Sequence, residues 1–122
     1  MKFRVFLLCV SLFLTNGLAA SAQTAETGIG GVLRVLDKVT GEIVDLELVL
    51  GGITTVGRLT IELKDCRYPL SNPSGDAFAL ISVGYQDDVK PAFEGWLVAT
   101  APALNAMDHP RYDIWALRCM TP

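Results

Sequence analysis

Apolar and polar residues alternate with a period of two along most of this chain, which is the signature of strands rather than helices. From Ile43 to Leu50, Val44, Leu46, Leu48 and Leu50 fall on one face and Asp45 and Glu47 on the other. From Arg58 to Lys64, Leu59, Ile61 and Leu63 alternate with polar side chains, as in a half-buried antiparallel strand. Strict alternation beyond that point sets Cys66 on the polar face, so a bulge or strand end near Asp65 is needed to turn it inward. Val32 to Leu36 predicts a strand that pairs with 43–50 across a turn in which Gly41 suits a positive φ. Ala77 to Tyr85 is nearly continuous in apolar residues and predicts a central strand covered on both faces. Phe93 to Thr100 is a further strand, and Tyr112 to Cys119 is the last, with Trp115, Leu117 and Cys119 on one face.

Gly51 and Gly52, the run Pro69 to Asp76, and Gln86 to Pro91 separate these segments as turns. Ala101 to Asp108 is the one helical candidate. Pro102 suits a first turn, Leu104 and Met107 share a face, and Pro110 keeps the helix short. About six strands and one short helix predict an all-β fold, a small antiparallel β-sandwich or barrel.

The amino-terminal segment follows a different pattern. Lys2 and Arg4 precede an apolar run from Val5 to Leu14, and a small-residue stretch ends at Ala20 and Ala22. This order is that of a cleavable signal peptide over residues 1–22, cut after Ala22 or Ala20. The apolar run is about half the length a membrane span needs, so no stable membrane anchor is expected after cleavage. Cys9 lies within that run and is removed with it. The expected location is the periplasm. Residues 23–30 read as a small, polar, flexible leader, and 31–122 as one domain.

Removal of the signal leaves 8 of the 10 cations against 13 acids, a net charge of −5. An acidic domain does not attract phosphate backbones or anionic membrane surfaces, so nucleic acid is not expected as a partner. Of the 3 cysteines only Cys66 and Cys119 remain, and a pair in a small exported domain predicts one disulfide.

Four blocks carry a resemblance: LRVLDKVTGEIVDLEL (33–48), GRLTIELKDCRYP (57–69), NPSGDAFA (72–79) and FEGWLVATAPALNAMDHPRYDIWALRC (93–119). Together they resemble the DUF2155 family of alphaproteobacterial exported proteins, across residues 31–119. The resemblance implies an envelope protein of a Gram-negative bacterium and supplies no activity. It places both mature cysteines in family-typical blocks.

Candidate chemistry concentrates in Ala101 to Trp115. His109 beside Asp108 and Asp113 can act as a general base, as in a small hydrolase, or share a metal with them. The same residues can instead brace a helix end and the backbone. A single histidine excludes a multi-histidine zinc site, and no serine or free cysteine has the context of a nucleophile. Asn72, Ser74 and Asp76 have the spacing of a calcium loop without its downstream glutamate, so a tight turn is expected. No cofactor is expected. Trp96, Asn105, Asp108, His109, Tyr112 and Trp115 are the candidate binding residues. The chain reads as a non-catalytic interaction module docking on an envelope protein. A glycan-binding domain and a small hydrolase using Asp108 and His109 are the alternatives.

Overall fold

A computed structural model describes residues 24–122. The expected signal peptide and Cys9 lie outside the described residues. The strands are β1 (Ala25–Thr27), β2 (Gly30–Asp37), β3 (Ile43–Val49), β4 (Ile53–Val56), β5 (Leu59–Pro69), β6 (Phe78–Tyr85), β7 (Phe93–Val98) and β8 (Tyr112–Met120). They form two antiparallel sheets. One has the order β1-β5-β6-β7, with β4 also pairing β5, and the other has the order β3-β2-β8. The fold is a sandwich, and neither sheet closes into a barrel. No helix among the described residues is long and apolar enough to cross a membrane.

Period-two patterning builds the core. Leu59, Ile61 and Leu63 of β5, Ala79, Ile81 and Val83 of β6, and Leu97 of β7 face Leu33 and Val35 of β2 and Ile114 and Ala116 of β8. Burial of this apolar surface is the main force holding the two sheets together.

Two bulges shape the centre. In β5 the register slips between Leu63 and Asp65, so Lys64 is an extra residue and Cys66 swings into the core as the alternation required. In β8 the register slips opposite Val32 and Leu33, which makes Leu117 the extra residue. The expected shared face of Trp115, Leu117 and Cys119 is therefore corrected. Tyr112, Ile114 and Ala116 point inward, Trp115 and Leu117 are half-buried outside, and the bulge returns Cys119 to the inside. Each cysteine strand thus carries one bulge, and Cys66 and Cys119 form the expected disulfide between the sheets, with Cα atoms 5.7 Å apart. Gly31 passes beside it, where a Cβ would lie 3.1 Å from the Cys66 sulfur.

Other expectations need correction. Within the segment read as a flexible leader, Ala25–Thr27 pairs with the end of β5. The chain then crosses between the sheets: the Gly28 amide donates to the Cys66 carbonyl and the Ile29 amide to the Met120 carbonyl. The helix over 101–108 is only a 3-10 turn at Pro102–Asn105. No side chain caps its start, and Ala106 is already extended, so nothing offsets the cost of a helical nucleus. Strand β6 is central, but only one of its faces is fully buried; Phe78, Leu80, Ser82 and Gly84 on the other are half-buried. The count of six strands rises to eight with β1 and β4.

Candidate functional site

The loop from Ala106 to Arg111 is held by its own histidine. Nδ1 of His109 accepts the backbone N–H groups of Arg111 (3.1 Å) and Tyr112 (3.2 Å). Accepting two amides occupies the Nδ1 lone pair, so this ring nitrogen serves as an acceptor within the loop. The ring packs against Tyr85 and Tyr112, with centroids 4.6 and 5.8 Å away. Arg111 extends over the Tyr112 ring and donates from Nη2 and Nε to Asp37 at 3.0 and 3.3 Å. Tyr112 itself is a core residue, and its hydroxyl accepts the Arg58 amide at 3.2 Å. It closes over Gly57, which adopts φ +56° and whose Cβ, if present, would lie 2.5 Å from that hydroxyl.

Asp37 is the electrostatic hub of this region. Its Oδ1 accepts the amides of Val39 and Thr40, and its Oδ2 faces Arg111. The Arg111 hydrogen bond holds its carboxyl below the ordinary value, burial pushes the other way, and the two amides reinforce the lowering. Arg111 is raised in turn, chiefly by Asp37.

The remaining candidates are scattered. Asp108 is exposed, and among the described residues no hydrogen bond or ion pair joins it or Asp113 to His109. Asp113 lies opposite Leu36 in the β2–β8 ladder, and its Oδ1 accepts the Ile114 amide at 2.9 Å. Asn105 donates to the Trp96 carbonyl at 2.9 Å, which caps part of the free edge of β7. Trp96 is 37% exposed and opposite Leu80 on the outer face of the larger sheet. Trp115 is half-buried and opposite Arg34 on the outer face of the smaller sheet. The structure therefore gathers His109 and Tyr112 but does not join the two tryptophans into one aromatic face. In the 69–76 turn, Asp76 accepts from Thr100 through both carboxylate oxygens, at 3.2 Å from the amide and 2.9 Å from the hydroxyl, so it links β6 to the end of β7. Among the described residues no group of three or more His, Cys, Asp or Glu side chains is placed to hold a metal ion.

A different surface was not singled out by sequence reasoning. Strand β3 is the outermost strand of its sheet and, among the described residues, pairs with β2 alone. The Asp37 amide donates to the Glu42 carbonyl and the Leu50 amide to the Ile29 carbonyl. This phase directs the backbone groups of even-numbered β3 residues at β2 and those of Ile43, Asp45 and Glu47 at solvent. Ile43 and Val49 are 60% and 63% exposed on the outer face, and Val44 is 39% exposed although it points toward the core side. Asp45 is held by a bidentate pair with Arg34 at 2.8 and 2.9 Å, which lowers its carboxyl. Glu42 and Glu47 make no ion pair among the described residues. Beside the start of β3, a cleft of about 50 Å³ opens between the sheets, lined by Val35, Asp37, Glu42, Val44, Val56, Gly57 and Tyr112. The sequence pattern of β3 was visible; its lack of an outer neighbour is a property of topology alone.

These features define a class: a small two-sheet β domain, stapled across its core by one disulfide, in which the outer edge of β3 is unpaired among the described residues. The chain belongs to the DUF2155 family, described as an uncharacterised protein conserved in bacteria, whose family model matches residues 31–119. It is also similar to an uncharacterised protein of Rickettsia prowazekii (strain Madrid E), with 29% identity over 92 residues, covering 73% of this chain and 59% of the relative. The chain thus spans about three-fifths of the length of that relative. No solved structure matches the chain.

Proposed function

We propose that this protein is an exported, non-catalytic interaction module of the bacterial cell envelope. The observation that carries the reading is the bare β3 edge, where ladder groups of three residues and the apolar side chains of Ile43, Val44 and Val49 meet solvent together. Natural proteins blunt or cover such edges unless they use them. The basic, apolar and small-residue order of the first 22 residues supports export, and a disulfide is stable in an oxidising compartment. The hydrolase alternative draws no support from His109, whose Nδ1 is committed to two backbone amides. The glycan alternative lacks a shared platform for Trp96 and Trp115.

The test is cell fractionation followed by crosslinked capture of the tagged protein from an envelope extract. Wild type is compared with Trp96→Ala, His109→Ala and a β3-edge variant. The expected result is a processed amino terminus in the envelope fraction and a discrete protein partner that a folded surface variant loses. An unprocessed protein confined to the cytoplasm, or retention of wall glycan with no protein, overturns the reading.

A further inference from the structure

We propose that β3 is a strand-addition site for an extended, basic segment of another protein, in which Lys or Arg alternates with apolar residues. The inference rests on the module reading above and names its partner chemistry. An added antiparallel strand bonds the outward amides and carbonyls of Ile43, Asp45 and Glu47, which gives affinity without altering the β2–β3 ladder. Its side chains alternate between the two faces of the extended sheet. On the core side they meet Val44, which is under-covered at 39% exposure, and the half-buried Leu46, so apolar residues belong there. On the outer side they meet Asp45 and Glu47, flanked by Ile43 and Val49. Among the described residues Glu47 makes no ion pair, and neither does Glu42 at the mouth of the adjoining cleft. A Lys or Arg side chain lays its aliphatic stem on Ile43 or Val49 and its charge on these acids.

The same pattern disfavours a second copy as the occupant. Antiparallel pairing of two β3 strands centred on Leu46 sets Asp45 opposite Glu47 of the other copy, twice. Shifting the register by two sets Asp45 against Asp45 or Glu47 against Glu47. Like charges directly opposite are destabilising. Opposite charge in the partner removes that conflict and adds cross-strand attraction.

The test uses the purified, disulfide-bonded protein and two short blocked peptides. One alternates valine with lysine, and the other replaces each lysine by glutamate. Backbone amide NMR shifts should appear on adding the lysine peptide, strongest at Ile43, Asp45 and Glu47, and not on adding the glutamate peptide. Glu47→Pro removes a solvent-facing N–H together with the Glu47 carboxylate but no group bonded to β2, so the ladder to β2 persists while binding should be lost, beyond the loss that Glu47→Lys alone gives. Glu47→Lys, which touches no backbone group, should weaken binding on the order of tenfold and remove most of its salt sensitivity. Equal binding of the glutamate peptide, unaltered binding by folded Glu47→Pro, or a dimer of the protein formed through β3 overturns the proposal. Capture of an envelope partner that Glu47→Pro leaves intact defeats the edge assignment while sparing the module reading. Confinement of the protein to the cytoplasm defeats the module reading whatever the peptides do.

Discussion

His109 is the residue whose role the structure changes most. Its ring nitrogen does for Arg111 and Tyr112 what an Asx oxygen does in a turn: it satisfies two amides that the chain reversal at Pro110 leaves without carbonyl partners. His109→Asn keeps a short acceptor and should retain most stability. His109→Leu leaves both amides unpaired in a part-buried loop and should cost about 1–3 kcal/mol in denaturant unfolding. Equal stability of the two variants contradicts this assignment. Asp37 carries the pH dependence of the same region. Its carboxyl is lowered on folding, mainly by Arg111, so it contributes stability above the ordinary carboxylate pKa and loses it as the pH falls through its folded value. Asp45 and Glu94 are lowered as well, by Arg34 and Lys64 respectively. Asp37→Asn should therefore flatten, without abolishing, the fall of Tm on acidification below about pH 4. An unchanged acid limb removes Asp37 from the account.

At the scale of elements, the two bulges decide which face each cysteine occupies. Deleting Lys64 removes the extra residue, so Asp65 follows Leu63 on the outer face and plain alternation alone keeps Cys66 pointing inward at Cys119. The expected outcome, in a chain beginning at residue 23, is a retained Cys66–Cys119 disulfide with no titratable thiol; two free thiols in the folded variant reject the bulge as what sets the face of Cys66. The bulge in β5 was legible because Lys64 and Asp65 are consecutive polar residues before an apolar cysteine, which breaks period two visibly. The bulge in β8 was not, since Trp115, Ala116 and Leu117 are all apolar and fit either face. Four-residue β4 and three-residue β1 escaped for another reason. Segments so short carry no measurable period, and their existence depends on the length of β5, whose two halves receive them side by side. The 3-10 turn shows the opposite failure: spacing suggested a helix, but Asn105 spends its side chain on the Trp96 carbonyl instead of on its own turn. Of the candidate site, the disulfide and the His109 loop could be anticipated from residue types, whereas the β3 edge follows only from knowing which strand comes last.

For the whole molecule, the disulfide and the crossing segment make one joint. Cys66 and Cys119 close a loop with a sequence separation of 53 between the middle of the larger sheet and the last strand of the smaller one. In the chain-entropy description, such a loop removes freedom from the unfolded chain worth about 4 kcal/mol. That is a large share of the roughly 5–15 kcal/mol expected for a domain. The joint is also where Gly28 and Ile29 carry backbone hydrogen bonds from one sheet to the other, and where Gly31 leaves room for the sulfurs. The apolar core alone still holds β2 and β8 against β5 and β6, so opening the disulfide should weaken the sandwich without changing its topology. Replacing both cysteines by serine should lower the stability by about 2–5 kcal/mol, read as a lower denaturation midpoint with a steeper slope, because the uncrosslinked unfolded chain is more expanded. Chemical reduction of the parent should give a shift of the same sign. An unmoved midpoint would mean that the native packing already restrains what the covalent bond restrains. A lowered midpoint at unchanged slope would instead place the effect in the native state, away from the unfolded chain on which the entropic description says the disulfide acts.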